Sequence, residues 1–146
     1  MMIPNVSEQY FQSLLIQQDA RAAVSTISGF WAYRADESLP LWGLSQSEYF
    51  CQLVLISTGE IANGGLTQFV ENRGTELMAD HIAAMRAVLL DQFADVLVLA
   101  ELTPSNATAL RELDHRAWGL LDGVDRSIQR YLGKNQRSVL VGERRP

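Results

Sequence analysis

The sequence has few of the residues that fix small folds covalently or bind metals. Cys51 is its single cysteine, which excludes an internal disulfide, and the apolar neighbours of Cys51 indicate a small buried side chain. With only His81 and His115 beside that cysteine, we expect no zinc site. Asp114, Asp122 and Asp125 could bind a divalent cation, but no coordination loop surrounds them, so we expect no metal and no cofactor. No apolar run approaches the roughly 20 residues of a membrane span, and the N-terminus lacks a basic start followed by an apolar block. We therefore expect a cytoplasmic protein that makes no membrane contact.

Signatures of catalysis are also missing. The chain has no phosphate-binding glycine loop, no Gly-x-Ser-x-Gly elbow, no His-Glu-x-x-His and no Cys-x-x-Cys. Asp80-His81 and Asp114-His115 are adjacent pairs, so their side chains diverge on a helix and cannot form a His-carboxylate dyad. We interpret both histidines as solvated surface residues, with a general acid–base role left open. The sequence thus predicts a protein that is not an enzyme and has no catalytic residues.

Charge is unevenly distributed along the 146 residues, whose net charge is −5. Through Asp125 there are 16 Asp and Glu against 6 Arg, which gives −10. From Arg126 onward there are 6 Lys and Arg and one Glu, which gives +5. An acidic body argues against direct binding of nucleic acid, because nucleic-acid-binding surfaces are basic. It favours a basic protein partner, or a basic tail that folds back on the body.

Helical periodicity runs through most of the chain and predicts an all-α fold. We expect a single-domain bundle of about five to six helices over residues 1–133, followed by a basic C-terminal tail over residues 134–146. Ser45 and Glu48 form a capping box before an apolar run, so residues 46–62 are predicted to be the central helix. Flanking helices are expected over residues 6–28, 75–100 and 103–133, with an aromatic-rich loop over residues 30–43.

The helix predicted to follow Thr75 has one apolar and one acidic face. Its acidic face carries Glu76, Asp80, Asp91 and Asp95 and no base, although a bend near Leu90 would split it. Like charges at i, i+4 cost about 0.2–0.5 kcal/mol per pair, so their presence here suggests a use in binding. The predicted partner-binding residues are Glu76, Asp80, Asp91, Asp95, Asp114, Asp122 and Asp125.

The stretch Gly59–Gly74, GEIANGGLTQFVENRG, contains an Asn-Gly-Gly break inside a helical pattern. Glycine takes positive φ angles that side chains disfavour, so this break predicts the end of one helix and the start of another. We interpret four polar residues of this stretch as a junction that holds the two helices together. The alternative is a small-ligand or catalytic site built from the same residues, which are Glu60, Asn63, Gln68 and Asn72.

This stretch resembles the signature of the DMP19-like family, approximately Glu-x-x-Asn-Gly-Gly-x-x-Gln-Phe-x-x-Asn-x-x-Gly. The residues that carry the resemblance are Glu60, Asn63, Gly64, Gly65, Gln68, Phe69, Asn72 and Gly74. Similarity extends from about Trp42 to Leu132, and Leu66 departs from the usual Phe. The resemblance implies an all-helical domain. The family's namesake is an acidic DNA mimic that binds a transcription regulator and keeps it from DNA.

We therefore expect a non-catalytic acidic protein that occupies the nucleic-acid site of a basic partner. That partner is either a nuclease toxin, against which the chain would be an immunity protein, or a DNA-binding regulator. The competing hypotheses are the small-ligand binder or enzyme described above, and a homodimer. In the homodimer, the region of Trp31 and Trp42 would bury against another copy, although burial within the chain is the more common fate of such side chains.

Overall fold

The structure is a computed structural model that describes residues 7–34, 44–73, 78–102 and 107–136. Every regular element in these ranges is helical, which confirms the predicted all-α fold. No helix among them combines the length and the apolar character that a membrane span needs. In chain order the elements are α1 (Glu8–Leu15), α2 (Ala20–Arg34), α3 (Gln46–Arg73), α4 (Met78–Ala87), α5 (Asp91–Leu102), α6 (Ala107–Leu120), a 3₁₀ turn (Leu121–Gly123) and α7 (Val124–Lys134).

Contacts group the chain into two compact units. The terminal unit contains Met1–Tyr49 and Asp125–Pro146, and therefore α1, α2, the start of α3 and nearly all of α7. The middle unit is Phe50–Val124, with the rest of α3, then α4, α5 and α6. Helix α7 includes Lys134, the first residue of the predicted tail, and residues 137–146 lie outside the described ranges.

In the terminal unit, the single helix predicted over residues 6–28 is divided into α1 and α2. Ser7 caps α1, since the Tyr10 N–H donates to Ser7 Oγ at 3.1 Å. The chain leaves the helix at Ile16, and Asp19 caps α2 by accepting from the Ala22 N–H at 3.0 Å. The predicted single helix is therefore wrong, because Asp19 starts a second helix within it.

Helix α2 then continues past Gly29 to Arg34. The aromatic-rich loop was predicted to start at residue 30, and this predicted start is therefore too early. Trp31, on this helix, is only 1% exposed. The indole of Trp31 therefore packs inside the chain rather than forming an exposed anchor for a second copy. Trp42 lies outside the described residues.

Two side chains of α7 cap the C-terminal end of α1. Gln129 is 2% exposed, and its Nε2 donates to the carbonyls of Leu14 and Gln17, both at 2.8 Å. Arg126 donates to the carbonyl of Gln17 at 3.3 Å and to that of Gln18. These contacts add side-chain donors at and just beyond the end of α1, where the Leu14 carbonyl also accepts from the Gln17 N–H at 3.3 Å. The basic C-terminal region, which starts at Arg126, therefore begins within α7, where Arg126 has this structural role.

Helix α3 begins with the predicted capping box. The Ser45 N–H donates to Glu48 Oε1 at 3.1 Å, and the Glu48 N–H donates to Ser45 Oγ at 3.3 Å. Further along, the hydroxyls of Ser57 and Thr58 are buried and donate to carbonyls one turn earlier in the same helix. The buried hydrophobic side chains of α3 are those of Cys51, Leu53, Val54, Ile61, Leu66 and Phe69.

The helix predicted from Thr75 to Ala100 is broken between α4 and α5, as the possible bend near Leu90 had suggested. The Leu90 N–H donates to the Met85 carbonyl at 2.8 Å, and the Leu89 N–H donates to the Arg86 carbonyl at 3.0 Å. This pattern is a Schellman motif, and Leu89 occupies its left-handed position with φ 62°. Glycine is usual there, which is why the sequence signalled the break only weakly.

Candidate protein-binding surface

The Gly59–Gly74 stretch contains a kink in α3 at Gly65, whose φ is 77° and ψ −174°. The next residue, Leu66, donates its backbone N–H to Asp114 Oδ1 at 2.6 Å. Asp114 on α6 therefore acts as an N-cap for the second segment of α3, although it comes from another helix. A Cβ on residue 65 would lie 2.8 Å from Asp114 Oδ2, so both the backbone angle and the cap require glycine.

Helix α6 also holds the segment of α3 that precedes the kink. The indole Nε1–H of Trp118 donates to the carbonyl of Ile61 at 3.1 Å. Trp118 follows Asp114 by one helical turn, so the two side chains leave α6 from neighbouring positions. Together they fix both sides of the kink from a single helix. Sequence analysis predicted Asp114 to be a partner-binding residue and indicated neither of these contacts.

The four residues predicted to form the polar junction occupy mixed environments. Glu60 and Gln68 are half-buried, whereas Asn63 and Asn72 are exposed. Gln68 lies over Gly64, because a Cβ on residue 64 would come within 2.7 Å of the Gln68 Cβ. Glycine at position 64 thus makes room for this glutamine. Gly74 is outside the described residues, and a ligand site built on the four polar residues stays a prediction.

His81 is not the solvated surface residue that we expected. It is 1% exposed, its Nδ1 lies 3.2 Å from the Leu53 carbonyl, and its ring meets the Phe69 ring edge-on with centroids 5.1 Å apart. The spacing from Met78 to Met85 explains the error, because position 81 falls on the same buried side of α4 as those methionines. His115 is exposed.

The acidic face predicted between Glu76 and Asp95 is not a continuous, base-free surface. Arg86 contacts two of its members: Nη2 lies 3.2 Å from Asp95 Oδ1, and Nη1 lies 3.7 Å from Asp91 Oδ1. The break at Leu89 brings the end of α4 beside the start of α5 and so creates these ion pairs. All three side chains are about half exposed or more, so each pair contributes little to stability.

The other predicted partner-binding residues are distributed over several elements. Asp80 is exposed on α4 and is thus on a different helix from Asp91 and Asp95, while Glu76 lies outside the described residues. Asp122 is exposed in the 3₁₀ turn. Asp114 is half-buried at the kink described above.

Asp125 is also half-buried, in the first turn of α7. Burial raises the pKa of its carboxyl group above the ordinary value; Arg21 opposes that shift and Asp19 adds to it. Its carboxylate is therefore less available for a partner than those of the exposed acidic residues.

The charge of the chain is concentrated in the middle unit. Residues 50–124 contain ten Asp and Glu and four Arg, a net charge of −6. The terminal unit contains seven Asp and Glu and eight Lys and Arg, a net charge of +1, and the two values sum to the −5 of the chain. The C-terminal end of the acidic region, at Asp125, is therefore next to a boundary between the two units.

The kinked central helix and its cap define the class of the protein, a small all-α protein built around a glycine kink. The chain belongs to the DMP19-like family, whose model matches residues 43–135. This match confirms the family predicted from the Gly59–Gly74 stretch and spans α3 to α7, including Asp114 and Trp118. No curated protein and no solved structure matches the chain.

Proposed function

We propose that this protein is a non-catalytic acidic binding protein that occupies the nucleic-acid-binding surface of a basic partner. The observation that supports the proposal is the net charge of −6 within the middle unit. Most of the carboxylates that the structure describes in this unit are exposed, whereas those of Glu60 and Asp114 are half-buried. Among the described residues of this unit, the exposed acidic ones are Glu71, Asp80, Asp91, Asp95, Glu101, Glu112 and Asp122.

Electrostatics favours a protein partner over a nucleic acid. A surface of this sign repels phosphates and attracts the lysines and arginines with which a nuclease or a DNA-binding regulator holds its nucleic acid. Complementary charge accelerates encounter, and added salt screens it. Binding to such a partner would therefore be salt-sensitive and would compete with nucleic acid.

Arg86 makes the carboxylates of the middle unit unequal in this role. One guanidinium contacts both Asp91 and Asp95, so part of their charge is offset within the protein. Asp80 is exposed in the first turn of α4, where its charge is also compatible with the helix dipole. Of these three residues, Asp80 gives the most direct test of the proposal.

The experiment uses affinity capture from native lysate at low and high salt, followed by competition for nucleic acid. A captured protein is purified, bound to labelled DNA or RNA, and titrated with the wild-type chain, Asp80→Lys or Asp95→Lys. Glu8→Lys is the matched control, because Glu8 is also exposed in the first turn of a helix but lies in the terminal unit.

We expect a basic, nucleic-acid-binding protein that is captured at low salt and lost at high salt. The wild-type chain and Glu8→Lys should displace the labelled nucleic acid equally, and Asp80→Lys should do so at least several-fold less well. The proposal fails if the captured partner keeps its nucleic acid in the presence of the wild-type chain. It also fails if neither reversal in the middle unit weakens binding.

A further inference from the structure

Trp118 is a large aromatic side chain that remains 44% exposed although it lies within the region matched by the family. Exposed tryptophan contributes strongly to protein interfaces because it buries a large area at a small cost in conformational entropy. Other large side chains in the core of this chain, such as Trp31, Phe69 and Phe93, are at most 1% exposed. Exposure alone does not distinguish Trp118, since Ile16 and Leu102 are more exposed, but Trp118 combines it with a hydrogen bond beside the kink of α3.

The Trp118 ring is held in one orientation before any partner binds. Its Nε1–H donates to the Ile61 carbonyl at 3.1 Å, and the His115 ring meets it edge-on with centroids 5.5 Å apart. A side chain that is already fixed loses less entropy on binding than a mobile one. The indole thus combines exposure with preorganisation, the two properties expected of an interface anchor.

The surroundings of Trp118 are open, and carboxylates lie near it along the chain. Ala62, Asn63 and Gly64, which follow the hydrogen-bonded Ile61, are all exposed, as is His115. We call Ala62, Asn63, Gly64, His115 and Trp118 the Trp118 patch. Asp114 precedes Trp118 by one helical turn and Asp122 follows it by about one turn, whereas exposed Arg111 is two turns away. Exposed Arg116 is two residues before Trp118 and therefore projects from a different side of α6. A cation stacked on the indole would be close to carboxylates.

We propose that Trp118 anchors the partner-binding surface by stacking against an arginine side chain of the basic partner. The inference rests on the proposed function, and it names the chemical group that this surface recognises. Arginine suits the patch better than lysine, because its planar guanidinium stacks on an indole while its N–H groups donate to a neighbouring carboxylate. The charge of the middle unit specifies a cationic occupant rather than a second acidic copy of this chain.

The test measures binding of a short all-arginine peptide and an all-lysine peptide of equal length to the full chain. The indole N–H signals of the ¹⁵N-labelled protein are followed by NMR, and Trp118→Phe identifies the signal of Trp118. Affinities for both peptides are then compared among the wild type, Trp118→Ala, Trp118→Phe and Asp80→Lys. The circular dichroism spectrum of each variant establishes that it is folded.

We expect the arginine peptide to shift the Trp118 indole signal more than the lysine peptide does. Trp118→Ala should weaken binding of the arginine peptide about two- to fivefold, as expected for an exposed cation–π contact, and remove the preference for arginine. If Trp118→Ala fails to fold, the proposal is tested by the shift of the wild-type Trp118 indole signal and by the peptide affinities of Trp118→Phe. Phenylalanine keeps a stacking ring, so this variant can be used in place of Trp118→Ala.

Two results separate this inference from the proposed function. Suppose that both peptides bind equally and leave the Trp118 signal unmoved, while Asp80→Lys weakens the binding of both. The proposed role of Trp118 is then refuted, and the proposed acidic binding function is retained. If the captured partner retains its nucleic acid and Asp80→Lys changes no affinity, the proposed function is refuted. In that second case, an arginine preference that depends on Trp118 would show that the patch binds arginine independently of the acidic surface.

Discussion

The carboxylate of Asp114 accepts a hydrogen bond from the backbone N–H of Leu66, 48 residues earlier in the chain, at 2.6 Å. This contact pairs an acidic side chain of α6 with the first free N–H after the kink in α3. The same carboxylate lies where a Cβ on Gly65 would be, so the glycine and the aspartate need one another. The glycine pair of the family signature is thereby connected to a residue outside the signature.

Asp114→Ala should lower the free energy of unfolding by about 1–3 kcal/mol, because it removes a charged acceptor and leaves a part-buried N–H without its cap. Urea denaturation measures the loss. Glu112→Ala, an exposed substitution on the same helix, is the control and should change stability by no more than about 0.5 kcal/mol. Equal effects of the two substitutions would contradict the capping role of Asp114.

The sequence predicted the features whose signals are local. The capping box of Ser45 and Glu48 and the glycine break at Gly65 each depend on residues within a few positions of one another. The apolar run of α3 could be recognised for the same reason. Such signals survive in a single sequence because the physical partners are neighbours along the chain.

The contacts that the sequence did not reveal join distant residues or follow from a weak break. Asp114 and Trp118 meet α3 across 48 and 57 positions, and no periodicity encodes such a pairing. Arg86 meets Asp91 and Asp95 only because Leu89 adopts a left-handed conformation without being glycine. An acidic face drawn on an ideal helix therefore overestimated the unbalanced charge.

Glycines 59 and 65, both in α3, should respond to alanine in opposite directions. At Gly65 the positive φ and the nearby Asp114 carboxylate make Gly65→Ala destabilising by about 1 kcal/mol or more. At Gly59 no atom lies within 4 Å of the added methyl group, so Gly59→Ala should stabilise by about 0.5–1 kcal/mol. Thermal or urea unfolding measures the stability of the two variants. A change of the same sign for both would contradict the different roles assigned to the two glycines.

Gln129 provides a corresponding test in the terminal unit. Gln129→Ala removes the two hydrogen bonds to the carbonyls of Leu14 and Gln17 at the end of α1, where the glutamine is almost fully buried. We expect a loss of about 1–3 kcal/mol in the free energy of unfolding, because each of the two lost hydrogen bonds contributes about 0.5–1.5 kcal/mol. The Leu14 carbonyl keeps the Gln17 N–H and the Gln17 carbonyl keeps Arg126 as donors. Gln12→Ala, on the exposed side of α1, is the control and should have little effect. A Gln129→Ala protein as stable as its control would show that α1 does not need this cap.

Asp125 should make stability depend on pH in the direction opposite to that of a carboxylate held in an ion pair. Because burial raises its pKa in the folded chain, the folded state retains the proton at a pH where the unfolded state has released it. Stability contributed by the protonated group is complete below the ordinary pKa of 3.8 and is lost as the pH rises through the higher, folded-state value.

Asparagine does not titrate, so the stability of the wild type relative to Asp125→Asn should fall as the pH is raised from about 3.8 into the weakly acidic range. Urea denaturation of both proteins at a series of pH values measures that difference, and Asp122→Asn serves as the control because Asp122 is exposed. A difference that rises with pH would mean that the attraction of Arg21 outweighs burial at this carboxylate.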